Sequence, residues 1–170
     1  MKKLIGLLLV LVLVLTACST NNQKDNIQSQ ESNASLYDFT LKDLEGNEFK
    51  LSDQKGKKVY IKFWASWCPV CLSTLPEFDE MAEEENDFEL VTIVSPGHGG
   101  EKDKEDFMNW FTSLNYKNTR VLLDETGEVF ENYGVKGLPS NAIIDDKGNL
   151  IRVIPGPMSE ESINKIFNEI

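Results

Sequence analysis

The sequence predicts an α/β fold: a central mixed sheet flanked by helices, with a β-hairpin added at its N-terminal end. Three observations predict it. Strand-like and helix-like stretches alternate along most of the chain. A strand, helix, strand unit sits near the middle. Two short segments, one at each end of the folded part, alternate apolar and polar residues about a glycine turn.

The first element is the hairpin. From Phe39 to Leu51 apolar and polar residues alternate on both sides of Glu45-Gly46-Asn47, where the chain should turn. Lys58 to Trp64 is β-branched and aromatic and reads as a strand. Pro69 then opens a helix with apolar positions at Leu72, Leu75, Phe78, Met81 and Ala82, and Pro76 inside it should kink it. Strand Phe88 to Val94 follows, with parallel pairing expected. After the polar loop Ser95-Pro-Gly-His-Gly-Gly-Glu-Lys-Asp, residues Phe107, Trp110, Phe111 and Leu114 lie at helical spacing. Arg120 to Leu123 reads as a short strand and Glu125 to Tyr133 as a short helix ended by Gly134. Strands Asn141 to Ile144 and Leu150 to Ile154 flank a turn at Asp145-Asp146-Lys147-Gly148, and a helix from Ser159 to Phe167 closes the chain.

Ahead of these elements stand two segments of another character. Residues 1–17 carry Lys2 and Lys3, then an apolar run from Leu4 to Leu15, too short to span a bilayer core that needs about 20 residues. They read as a secretory leader, and Leu15-Thr16-Ala17-Cys18 resembles a bacterial lipobox, in which Cys18 would carry lipid and anchor the protein without spanning the membrane. An ordinary leader, with Cys18 there by chance, is the alternative. Residues 18–35 are almost wholly polar and read as a disordered tether. Residues 36–170 are left as one domain, large enough to bury roughly two thirds of its unfolded surface. The net charge of −11 repels phosphate backbones, so nucleic acid is not an expected partner. A monomer is expected.

The chemistry rests on Trp67-Cys68-Pro69-Val70-Cys71, placed where a strand ends and a helix begins. A thiol there faces unpaired backbone N–H groups and the positive end of the helix dipole, so its pKa should fall below the free value of roughly 8.5. Cys68 is then the exposed nucleophile of a thiol-disulfide exchange, and Cys71, one turn on, resolves the mixed disulfide. Pro69 occupies the first helical turn, where its missing N–H is no loss. A zinc site would need ligands beyond this pair, and His98 is the single histidine. Haem attachment needs His where Leu72 stands. A purely structural bridge over three residues gains little loop entropy. No metal or cofactor is expected beyond the redox-active pair itself.

Four segments together carry a family resemblance: Trp64-Ala-Ser-Trp-Cys-Pro-Val-Cys71, Pro76, Val-Lys-Gly-Leu-Pro139 and Ile-Ile-Asp-Asp-Lys-Gly-Asn149. They resemble the TlpA/ResA-like branch of the thioredoxin superfamily over the chain from Phe39 to Ile170. The resemblance implies a thioredoxin fold, a cis Leu138-Pro139 bond beside the disulfide, and a Leu138 backbone free to pair with a substrate strand; a plain turn proline is the other reading of Pro139. Tyr60 to Cys71 and Val94-Ser-Pro-Gly-His-Gly-Gly100 are also similar to extracellular thioredoxin-like lipoproteins and to domains fused to methionine sulfoxide reductases. That likeness implies a membrane electron donor similar to CcdA and a sulfoxide reductase as client. Rival readings are an oxidase that makes disulfides, a thioredoxin of cytochrome c maturation, and a lipoprotein that binds without turnover. Peroxiredoxin chemistry would need a peroxidatic Cys in a different motif.

Two positions depart from the family pattern. Lys62 stands where thioredoxins place a buried acid; its ammonium would lower thiol pKa values and make the pair more oxidising, unless it leans to the sheet edge and reaches water. Thr74 stands where many ResA-like chains carry Glu, so that acid-base step does not carry over. Glu77 is expected to be solvated and His98 to face solvent. Trp64 is expected in the core and Trp67 on the rim of the active-site surface. Glu80, Glu83, Glu84 and Glu85 should form the wet face of the first helix.

Overall fold

The computed structural model describes residues 36–170, and the proposed leader, tether and Cys18 lie outside them. Seven strands form one mixed sheet: β1 (Thr40–Asp43), β2 (Glu48–Lys50), β3 (Lys58–Phe63), β4 (Phe88–Val94), β5 (Val121–Leu123), β6 (Ser140–Ile144) and β7 (Leu150–Pro155), in the order β2-β1-β5-β4-β3-β6-β7. Parallel pairing joins β3 to β4 and β4 to β5, while β6, β7 and the hairpin pair antiparallel. The hairpin turns at Gly46, whose φ of 85° favours glycine.

β3 is an interior strand of this sheet, between β4 and β6, and is buried along almost its whole length, because helices cover both faces. Its odd positions Val59, Ile61 and Phe63 join a core with Phe39, Phe49, Val91 and Ile93. Tyr60 faces the opposite side, with Phe78 and Met81 of one helix and Ile163 and Phe167 of another. Lys62 shares the side of Tyr60, since strand side chains alternate.

The helices are α1 (Pro69–Ser73), α2 (Leu75–Glu83), α3 (Lys104–Ser113), α4 (Glu128–Asn132) and α5 (Glu160–Glu169), with a 3₁₀ turn at Leu51–Gln54. None of them is long and apolar enough to cross a membrane. Asp103 and Ser159 cap α3 and α5 through their side chains.

Three expectations about helices need correcting. The helix expected to kink at Pro76 is broken: α1 ends at Ser73 and α2 begins at Leu75, with Thr74 between them at φ −107°, ψ 0°. Pro76 has no N–H for the carbonyl of Leu72, and its ring crowds that carbonyl, so the ladder stops one turn after it starts. α2 ends at Glu83, so Glu84 and Glu85 are exposed beyond the helix instead of on its face. α4 is also shorter than expected, because Gly127 adopts φ 77° and Asp124 uses its carboxylate to hold the Phe130 N–H.

Candidate active site

The site is built where β3 leaves the sheet. Trp64 N–H donates to the Ile93 carbonyl at 3.2 Å and carries the chain just past the strand end. A turn follows, closed by Cys68 N–H to the Ala65 carbonyl at 3.2 Å, and Cys68 becomes the N-cap of α1. There its Sγ accepts the Cys71 N–H at 3.2 Å, while its carbonyl accepts the Leu72 N–H at 3.0 Å. The two sulfurs are bonded, with the Cα atoms 5.2 Å apart. A one-turn helix has a small dipole, so the directed Cys71 N–H is the main local stabiliser of negative charge on Cys68 Sγ.

Cys68 is not the exposed residue the sequence reading expects. It is 4% exposed and Cys71 is fully buried, both packed in a cluster with Trp64, Ala65 and Leu75. The exposed surface belongs to their neighbours, Trp67 and Val70, at 52% and 46%. Trp64 is fully buried against Phe107, Trp110 and Phe111, and its indole N–H has no hydrogen-bond partner among the described residues.

The second wall comes from the segment before β6. The Leu138-Pro139 peptide is cis, and Leu138 packs against the cluster that contains both cysteines. The Pro139 carbonyl accepts the Gly156 N–H at 2.8 Å, but no hydrogen bond among the described residues engages the Leu138 backbone. A cleft of about 550 Å³ opens between these walls and is lined by Trp67, Glu101, Phe130, Val135, Lys136 and Leu138, among others. His98 borders the same cleft, exposed, with Nε2 3.1 Å from the Glu125 carbonyl.

Sequence reasoning missed one constellation. Glu101 is 8% exposed and uses one carboxylate oxygen to accept the Ser66 N–H and the other to accept the Ser66 hydroxyl. The Lys102 N–H also reaches that second oxygen at 2.7 Å, and Lys102 Nζ donates to Ser66 Oγ at 2.9 Å. The glycine-rich loop is therefore fastened to the turn two residues before Cys68. Gly100, at φ 84°, lies against the Trp67 indole, where an added Cβ would meet Nε1 at 3.6 Å. The signal available was the acid closing that glycine-rich loop, but nothing local showed where its carboxylate goes.

Lys62 also departs from expectation. It does not lean to a sheet edge: it is 4% exposed on the central strand, and Nζ donates to Thr74 Oγ1 at 2.6 Å. Its ammonium lies 5.4 Å from the centre of the Phe78 ring. Burial pulls its pKa down from 10.5 to about 8, against a smaller opposing pull from Glu77. Glu77 itself is exposed and accepts the Glu160 N–H at 3.1 Å.

A stability prediction follows from that depressed value. Between about pH 8 and 10.5 the folded chain has released the Lys62 proton while the unfolded chain still holds it. The destabilisation is therefore full below pH 8 and relieved as the pH rises to 10.5. Lys62→Met should stabilise the oxidised protein at pH 7 by on the order of 2 kcal/mol, after about 1 kcal/mol for the lost Thr74 bond. Urea unfolding of both proteins at pH 7 and pH 10 checks this: the gap between them should shrink at the higher pH.

Among the described residues no group of three His, Cys, Asp or Glu side chains could hold a metal ion. Residues 31–170 match the family model described as Redoxin. The chain is 32% identical to the thiol-disulfide oxidoreductase ResA of Bacillus subtilis strain 168 over 167 residues, covering 97% of this chain and 90% of that one. It is similar to the crystal structure of the exposed lipoprotein thioredoxin Etrx1 from Streptococcus pneumoniae strain TIGR4, at 48% identity and a TM-score of 0.75, covering 78% of this chain and 99% of that one. The N-terminal domain of PilB from Neisseria gonorrhoeae is 30% identical with a TM-score of 0.67, covering 78% of this chain and 86% of that one.

Proposed function

Since the chain belongs to the Redoxin family and is a thiol-disulfide oxidoreductase of TlpA/ResA-like thioredoxin type, we propose that it is a lipid-anchored extracytoplasmic reductase with Cys68 as nucleophile and Cys71 as resolving thiol. In the reduced protein, Cys68 thiolate attacks one sulfur of a client disulfide. A mixed disulfide forms and the client's other sulfur leaves as a thiolate. Cys71, deprotonated, then attacks Cys68 Sγ, which forms the intramolecular disulfide and releases the client as a dithiol. The client has gained two electrons and two protons, and a membrane dithiol donor similar to CcdA returns them to the pair.

The observation that carries this reading is the Cys71 N–H aimed at Cys68 Sγ beside an unengaged Leu138 backbone. The N–H is a donor ready for a thiolate on Cys68, and the free Leu138 groups can hold an extended client segment by main-chain bonds. The cleft beside Trp67 supplies apolar wall for the client side chains. Anchoring rests on the Leu15 to Cys18 segment, and the sulfoxide reductase client rests on the resemblance of Tyr60 to Cys71 and Val94 to Gly100.

Cys71→Ala expressed in its own membrane is the test. Mixed disulfides on Cys68 should accumulate, with a sulfoxide reductase among the partners identified by mass spectrometry. Recovery of secreted proteins alone would point to an oxidase and discard the reductase direction. The burial of the Lys62 ammonium favours that second reading, because it stabilises thiolate. Equilibration with glutathione separates the two, since a potential near that of DsbA, roughly −120 mV, belongs to an oxidant.

A further inference from the structure

We propose that Lys62 is a positioning residue for the redox pair: held on Thr74 at the break between α1 and α2, its ammonium fixes the carbonyl end of α1 and favours the reduced, thiolate-bearing pair. The inference rests on the redox reading of Cys68 and Cys71 but not on the direction of electron flow.

The geometry forms a short chain of contacts. Lys62 Nζ donates to Thr74 Oγ1, and that hydroxyl lies 3.0 Å from the Cys71 carbonyl and 3.4 Å from the Val70 carbonyl. Thr74 N–H also reaches the Cys71 carbonyl, at 3.3 Å. The peptide units that end α1 are therefore tied, through Thr74, to a lysine on the buried interior strand β3. The opposite end of the same single turn presents the Cys71 N–H to Cys68 Sγ. A cation at a helix C-terminus is also where the exposed carbonyls favour positive charge.

Facing Lys62 are Tyr60 on its own strand, Glu77 on α2 and Glu160, the first residue of α5, together with the apolar Phe78, Met81, Met158 and Ile163. Neither carboxylate forms an ion pair with it among the described residues. A buried cation without a paired anion is expensive, and a thiolate formed nearby on reduction partly offsets that penalty. Reduction of the disulfide takes two electrons from a donor dithiol. Near neutral pH it leaves one thiol and one thiolate, so one proton is taken up and the charge of Lys62 acts on the product alone.

Equilibrate the wild type, Lys62→Met, Lys62→Arg and Thr74→Val with glutathione redox buffers from pH 6 to pH 10, and follow thermal unfolding to confirm that each oxidised variant is folded. For Lys62→Met the equilibrium constant for reduction should fall about tenfold at pH 7, equivalent to roughly 30 mV toward a more reducing couple. Lys62→Arg should restore most of that, and Thr74→Val should lose part of it. The gap between wild type and Lys62→Met should narrow above about pH 8, where the Lys62 ammonium releases its proton. A folded Lys62→Met whose potential matches the wild type across this range overturns the inference. So does a shift that is independent of pH and that Lys62→Arg fails to reverse, which would mark a packing effect. A wild-type protein that forms no reducible Cys68–Cys71 pair would instead overturn the redox reading beneath it.

Discussion

Cys68→Ser should lower the rate of client disulfide reduction by on the order of 10³-fold or more, because a hydroxyl at neutral pH supplies no competent anion in place of the thiolate. The position of the sulfur explains the size of the effect. Cys68 Sγ sits at the first turn of α1 with the Cys71 N–H at 3.2 Å, a backbone donor aimed at the atom that carries the charge once the pair is reduced. Its neighbour Cys71 is fully buried and should not replace it as an attacking group. Cys71→Ser should therefore behave differently: one turnover to a mixed disulfide, then a stop. Rapid mixing of each reduced variant with a disulfide-bonded peptide, followed by alkylation and mass analysis, distinguishes them. Equal residual rates in the two variants would mean that the assignment of nucleophile and resolver is wrong. Titration of reduced wild type by thiolate absorbance should also place the Cys68 thiol below roughly 8.5.

What could be read from the sequence was whatever depends on neighbouring residues. The Cys68 to Cys71 spacing, Pro69 in the first turn and the alternation about Gly46 and Gly148 are local patterns, and local patterns fix strands, turns and a helix start. The cis bond at Leu138-Pro139 came from resemblance, not from periodicity. Other features depend on what the fold brings together. Glu101 meets Ser66 across 35 positions of sequence, and no local rule pairs them. Lys62 read as a departure from pattern, but whether its ammonium met water or Thr74 depended on which helix covers that face of β3. Pro76 marked a disturbance correctly; its severity depended on its distance from the start of the helix, where only one turn stood before it. The burial of Cys68 was hidden for a related reason, since the surrounding cluster draws on α3 and on the segment before β6.

Glu101→Ala should be strongly destabilising. The carboxylate is nearly buried and accepts both polar hydrogens of Ser66 as well as the Lys102 N–H. Bonds to a charged acceptor contribute about 1.5–3 kcal/mol each and do not add, while a buried N–H left without a partner costs about 1–3 kcal/mol. A net loss of about 3–4 kcal/mol follows, seen as a lower urea midpoint with an unchanged slope. Glu101→Gln keeps an acceptor for the Ser66 N–H but turns its amide NH2 toward the Lys102 N–H, so it should lose about 2 kcal/mol, less than Glu101→Ala. The two variants should also differ in rate. Ser66 lies in the turn that sets Cys68, so freeing it misplaces the sulfur relative to the Leu138 backbone, and a displacement near 1 Å can slow a reaction by as much as about 100-fold. Exchange with a disulfide peptide should slow by about 10-fold or more in Glu101→Ala and little in Glu101→Gln, with both cysteines still forming their disulfide. If Glu101→Ala unfolds within about 0.5 kcal/mol of wild type, the contact between the glycine-rich loop and the active-site turn carries no weight in solution. If it is destabilised but exchanges at the wild-type rate, the contact holds the fold together without setting the position of Cys68.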